Sequence, residues 1–239
     1  MTENSPKPWG VALGGGIVGA VLTATAIVAA APSLFGERLV RDALARHPEI
    51  LVDASDALRD RQYAPALAAQ RTAIETPFHS SWRGSVRPDV TVAYFYDYSC
   101  GYCRKSNPDI DRLIAEDKGV RVVYRELPIL GPASLAASRV ALAASKAGKF
   151  VAFHDTLVAA GAQPTPQAIA AAAAAAGVAP QPQDLADQEA ELKHNFQIAG
   201  QLGATGTPLF VIGDRVFNSA VGYDLLKDAV KDARARRDS

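Results

Sequence analysis

The only cysteines of this 239-residue chain, Cys100 and Cys103, stand two residues apart in "FYDYSCGYCRKSNP", residues 95 to 108. Two thiols at this spacing can close a small disulfide ring, hold a soft metal ion or staple a loop. Zinc ordinarily takes four ligands, and the four scattered histidines supply no second half-site. Copper(I) suits soft thiolates, but methionine occurs only at position 1 and no histidine cluster lies near the pair. A bridge between residues so close in sequence would restrict little chain entropy, which argues against a purely structural staple. A dithiol-disulfide couple is the reading these residues favour. A non-catalytic copper(I)-binding or client-binding module using the same sulfurs is the alternative. No resident metal and no cofactor are expected.

The flanking elements say which sulfur would act. "DVTVAYFY", residues 89 to 96, is nearly continuous in β-branched and aromatic residues, as in a strand buried on both faces. It runs straight into the cysteines, after which Ile110, Leu113 and Ile114 recur at helical spacing. A sulfur at the start of that helix faces unpaired amide N–H groups and the positive end of the helix dipole, which favour thiolate. Only thiolate attacks a disulfide. Cys100 is therefore the expected nucleophile, exposed at the helix start with Ser99 as a candidate cap, and Cys103, one turn in, the expected resolving thiol. "VRVVYREL", residues 120 to 127, reads as a second strand. A helical block follows from about 133 to 203, with Gly177 ending a polyalanine run. "PLFVIGDRVF" reads as two strands turned at Gly213-Asp214, followed by a helix from about Tyr223.

The rest of the chain bounds the setting. Lys plus Arg and Asp plus Glu each number 25, so the net charge is zero and no global electrostatic attraction to nucleic acid exists. From Pro8 to Gly36 there is no charged residue, and this apolar run has about the ~20 residues a membrane crossing needs. Residues 1 to 35 are expected to be a signal peptide, cut near Val28-Ala29-Ala30, or an uncleaved inner-membrane anchor, the reading we favour. Arg38, Arg41 and Arg46 follow the segment and would favour the cytoplasmic side of a retained anchor, so it is the cysteine chemistry that places the domain in the periplasm or another extracytoplasmic space. Residues 36 to 75 carry amphipathic helices, marked by Leu39, Val40, Ala43 and Leu44 and then by Ile50, Leu51, Ala54 and Leu58. Such a thin apolar stripe must be covered by its own domain, a sister chain or a membrane; self-association into a homo-oligomer is the favoured expectation. "TPFHSSWRGSVRPD", residues 76 to 89, has the Pro, Gly and Ser punctuation of a linker.

The order of strand, cysteine pair at a helix start, strand, helical block, hairpin and final helix resembles the DsbA family of thiol-disulfide oxidoreductases. That is an α/β thioredoxin-like fold with an inserted helical domain, here over residues 90 to 236. The resemblance rests on Cys100-Gly101-Tyr102-Cys103, Pro108 five residues on, "RELPILGPAS" and "TGTPLFVIGD". It implies that Thr207 and Pro208 form a cis-proline loop against the cysteines, where substrate binds. It implies cysteine-containing client proteins and a membrane redox partner that resets the pair. Gly101 and Tyr102, which tune the couple in this family, and Thr207 before the proline look more like disulfide isomerases of the DsbC type than the Pro-His and valine of a dedicated oxidase. "RDALARHPEILVDASDAL" looks like the N-terminal arms of ScsC- and Com1-like members, which hold protomers together. The lean is therefore towards isomerase or reductase. One departure stands out: the family usually places a buried acidic residue six positions before the first cysteine, and this chain has Tyr94. Glu126, on the following strand, is the candidate proton relay in its stead. His154 is expected at the surface or packed among the inserted helices, without a catalytic role.

Overall fold

The computed structural model describes residues 36–161, 163–179 and 184–237. The N-terminal apolar segment, read above as signal or anchor, lies outside them. Among the described residues no helix is long and apolar enough to cross a membrane. The chain divides into two units, Met1–Ala57 and Leu58–Ser239. In the first, α1 covers residues 36–46 and α2, Glu49–Glu75, begins. Leu39, Val40, Ile50, Leu51 and Val52 are exposed there, while Ala43 and Leu44 are half-buried.

The second unit is built on a five-stranded sheet of order β1-β3-β2-β4-β5. These strands are β1 (Trp82–Gly84), β2 (Val90–Tyr96), β3 (Val120–Glu126), β4 (Leu209–Ile212) and β5 (Arg215–Phe217). β2 and β3 run parallel with Tyr96 beside Glu126; β4 lies antiparallel to β2. Between β2 and β3 comes α3 (Gly101–Glu116), with Pro108 inside it. Among the described residues, four α-helices separate β3 from β4: α4 (Pro132–Lys146), α5 (Phe150–Ala159), α6 (Pro166–Ala176) and α7 (Leu185–Gln201). The chain closes with α8 (Tyr223–Arg237). This is the mixed α/β, thioredoxin-like arrangement with a helical insertion that the sequence order suggests.

Strand geometry sorts the core by residue parity, because successive side chains point to opposite faces. Val92, Tyr94, Tyr96, Val122, Tyr124 and Phe210 pack beneath α3, α5 and α8. Ala93, Phe95, Leu209 and Val211 face the other way, where Leu67 and Ile74 of α2 and Ile198 and Leu202 close the core. Burying Leu67 and Ile74 favours the fold by about 1.5–3 kcal/mol each, so the C-terminal part of α2 is held by its own sheet. β1, in the stretch whose composition suggests a linker, pairs antiparallel with β3 at the sheet edge. It ends at Gly84, φ +94°, where a Cβ would come within 2.4 Å of Val120 O; only glycine fits this close strand approach.

Candidate active site

The sheet delivers the cysteines to its edge through a tight turn. β2 ends at Tyr96, Asp97 follows, and α3 begins at Gly101. Cys100 takes extended backbone angles and is itself the N-cap, its sulfur accepting from the Cys103 amide at 3.4 Å. Ser99, the cap candidate from sequence, is displaced from that role because its own amide donates to Asp97 at 2.7 Å and its hydroxyl meets Ser134 Oγ at 2.8 Å. A sulfur in the cap position has the helix amides pointing at it, the placement that stabilises negative charge.

The two thiols are opposites electrostatically. Cys100 is held down to about 5, first by the hydrogen bond from the Cys103 thiol, with the Cys103 and Tyr102 amides adding to the effect and partial burial opposing it. Cys103 is pushed far up, by burial first and then by Cys100. At neutral pH Cys100 is the thiolate and Cys103 the proton-bearing partner. Cys100 is only 5% exposed, so less of this sulfur is open than a position at a bare helix start suggests. Tyr102, 65% exposed, projects beside it, and Gly101 is exposed too.

The loop before β4 closes the site. The Thr207–Pro208 peptide is cis, Pro208 is buried, and Cys100 Sγ lies 3.2 Å from Thr207 O. Cys100, Cys103, Thr207 and Pro208 are thus one cluster, although Thr207 and Cys100 lie 107 residues apart. Beneath the turn, Asp97 is wholly buried and accepts from Ile129 N at 2.8 Å, Leu130 N at 2.9 Å and Ser134 Oγ at 2.6 Å. It thereby ties the cysteine turn to the start of the helical insertion.

Glu126 is not in direct contact with the sulfurs. It is buried, accepting from Ser138 Oγ at 2.7 Å and from the Tyr96 hydroxyl. Tyr96 Oη lies 3.0 Å from Tyr98 Oη, which lies 3.1 Å from His154 Nδ1. His154 is buried, not at the surface, and packs among Tyr96, Tyr98, Tyr124 and Phe150. Burial, with Arg83 nearby, pushes it down to about 3 and so keeps it neutral. Tyr94 Oη donates to Cys103 O at 3.1 Å, a backbone contact rather than one to the thiol. The tyrosines at 94, 96 and 98 repeat with the strand period around the cysteines; that repeat is the one signal in the sequence for this network. Among the described residues no cluster of three or more His, Cys, Asp or Glu is placed to hold a metal.

Residues 91–231 match the DSBA-like thioredoxin domain family, and residues 37–64 match the family described as the copper resistance protein ScsC N-terminal domain. Among solved structures, the catalytic domain of Proteus mirabilis ScsC aligns with a TM-score of 0.66 at 28% identity, covering 72% of this chain and 98% of that one. A periplasmic thioredoxin-like protein from Salmonella enterica serovar Typhimurium aligns at 0.64 and 30% identity, covering 69% and 95%. The thiol-disulfide exchange protein alpha-DsbA2 from Wolbachia pipientis aligns at 0.64 and 26%, covering 73% and 97%. Two curated relatives are Na(+)/H(+) antiporters: NhaA 3 of Salinispora tropica, 35% identical over 79 residues, and NhaA 1 of Salinispora arenicola, 27% over 159. The matches take in 32% and 64% of this chain but only 12% and 24% of those proteins' lengths.

Proposed function

The chain belongs to the DSBA-like thioredoxin domain family, and from that premise we propose that it is a thiol-disulfide oxidoreductase that reduces or isomerises disulfides in other proteins outside the cytoplasm. The observation that carries the reading is the contrast between the capped Cys100 thiolate and the buried Cys103 thiol. A thiolate stable at neutral pH attacks a client disulfide without prior deprotonation, and its low proton affinity also makes it a good leaving group. Both properties serve thiol-disulfide exchange in either direction; the lean towards reduction or isomerisation rests on Gly101, Tyr102 and Thr207. The client's extended segment lies against the Thr207-Pro208 edge next to Cys100, while Gly101 and Tyr102 shape the surface it meets. Cys103 rescues the enzyme from mixed disulfides that do not rearrange. A membrane-bound dithiol donor returns the pair to its reduced form.

Two further assignments complete the proposal. Residues 1 to 35 deliver the chain out of the cytoplasm, a reading supported by the relative named as periplasmic. Residues 36 to 75 bring protomers together, supported by the exposed Leu39, Val40, Leu51 and Val52 and by the ScsC N-terminal match. Several active sites then face one misfolded client.

The test is a scrambled-substrate refolding assay combined with alkylation of free thiols immediately on cell lysis. We expect turnover that vanishes in Cys100→Ala, and a pair found mostly reduced in cells. A mostly oxidised pair would make the protein a disulfide donor instead. Binding of copper(I) by both cysteines without turnover would favour the copper module. Alkylation of Cys100 should fall with a midpoint near pH 5. A mass measurement with and without residues 36–75 checks the oligomer; an unchanged monomer ends that part.

A further inference from the structure

Cys103 is 2% exposed, yet it must shed a proton before its sulfur can resolve a mixed disulfide, because only thiolate attacks. Position 94 offers a phenol turned to the Cys103 carbonyl and no carboxylate. Beside the thiol is a cavity of about 10 Å³, bounded by Cys103, Tyr96, Asp97, Tyr98, Arg104 and Asn107. That is about the size of a single water molecule, and polar side chains stand among the residues that line it, as a bound water needs. Tyr96 forms part of this wall and is also bonded to Glu126, on the neighbouring strand.

We propose that Glu126 accepts the proton of Cys103, relayed by one water in this cavity and by the Tyr96 hydroxyl. The proposal rests on the thiol-disulfide exchange argued above and supplies its missing proton step. Cys103 Sγ–H gives its proton to the water, the water gives one of its own to Tyr96 Oη, and Tyr96 gives its phenolic proton to the Glu126 carboxylate. Water and phenol are restored; the net change is thiol plus carboxylate to thiolate plus carboxyl. The Cys103 thiolate pair then forms the bond to Cys100 Sγ, the Cys100-client S–S bond breaks, and the client sulfur leaves with that bond's electrons. When an external dithiol attacks Cys100 in the next cycle, Cys103 departs as thiolate and takes the proton back along the same path.

The surroundings suit a carboxyl that exchanges protons. Burial raises Glu126 to about 8; the bonds from Ser138 of α4 and Tyr96 of β2 act against this, and the negative charges of Asp97 and Glu191 act with it. On the α5 side stand Tyr98 and the neutral His154. Ser138 steadies the far oxygen, leaving Oε1 to Tyr96. Arg125, adjacent in sequence, is turned to the opposite sheet face and bonds Glu191 instead.

Stopped-flow reaction of the reduced full chain with the aromatic disulfide dithiobis-nitrobenzoate separates the steps: Cys100 releases the first coloured thiolate and Cys103 the second. In the wild type the second phase should accelerate as pH rises through about 8. In Glu126→Gln and in Tyr96→Phe it should lose that rise and run roughly 10²-fold slower at pH 9, the low end for general-base assistance, with the first phase unchanged. A second phase in both variants that tracks the wild type across pH overturns the relay. Should both variants fold poorly, the wild type decides by itself. A relay through water and phenol moves several protons together, giving a curved dependence of the second phase on deuterium fraction, and a linear one refutes it. Absence of the first phase in the wild type would instead sink the exchange reading.

Discussion

The two faces of the same pair of central strands bury opposite kinds of polar group. Beneath α3, β2 and β3 present Tyr94, Tyr96, Tyr124 and Glu126, groups that can each give or take a proton. On the other face, Arg125 sends its guanidinium to the carbonyls of Ala73, Ile74 and Thr76 at the end of α2, to Glu191 at 2.8 Å and to Asn195 at 3.3 Å. A guanidinium has donors only and does not deprotonate in proteins, so it can clamp a helix terminus and cannot pass protons. The pleat thus keeps the proton-exchangeable groups and the helix clamp on opposite faces while placing them on adjacent residues, Glu126 and Arg125.

Changes on each face should therefore fail differently. The largest effect on stability belongs to Arg125→Met, which strips the end of α2 and leaves Glu191 without its buried partner. Urea unfolding should show a loss of about 3–5 kcal/mol, with the pH profile of exchange retained by the folded protein. A change in that profile would break the separation of the faces. Next comes Glu126→Gln, whose stability effect should depend on pH. The fold raises the Glu126 value from its ordinary 4.5 to about 8, so it favours the neutral carboxyl. That advantage is complete below about 4.5 and disappears as pH rises through 8. The variant should therefore gain on the wild type by a few kcal/mol between pH 5 and pH 9, read from paired denaturation curves. A difference that stays flat across that interval would mean that the carboxyl is not held neutral. Smallest is Tyr98→Phe, which removes a hydroxyl joining Tyr96 to His154. It should cost about 1 kcal/mol and leave the Tyr96-Glu126 path intact; loss of the pH-dependent resolving phase here would move the relay towards His154.

Much of this arrangement is legible in the chain because it follows from local pattern. The nearly continuous apolar run of β2 ends at Tyr96, just before the cysteines, helical spacing resumes at Ile110, and Gly213-Asp214 turns the last hairpin. What the sequence hides depends on long-range meetings. Arg121 and Arg125 share one parity of β3, yet Arg121 is half-buried and Arg125 is 2% exposed. The difference is made by α2, which ends over Arg125, some 50 residues upstream of it. His154 looks like any polar residue of a helix until α5 is packed on β2 and its ring meets Tyr98. β1 is three residues long and flanked by Ser, Gly and Pro, so turn chemistry masks its pairing with β3. Asp97 sits at a strand end, where exposure is the default; its burial follows from Ile129 and Leu130 folding back to reach it.

Because Cys100 rather than a serine or aspartate caps α3, the cap changes strength with every turnover. As thiolate the sulfur is a charged acceptor for the Cys103 amide; once bonded to Cys103 or to a client sulfur, it is a neutral and weak one. The first turn of α3 should therefore be held more firmly in the dithiol state than in the disulfide and mixed-disulfide states. The Cys103 amide is in effect a gauge of oxidation: its deuterium uptake should quicken when the pair closes, so the backbone reports where electrons reside without any label on sulfur.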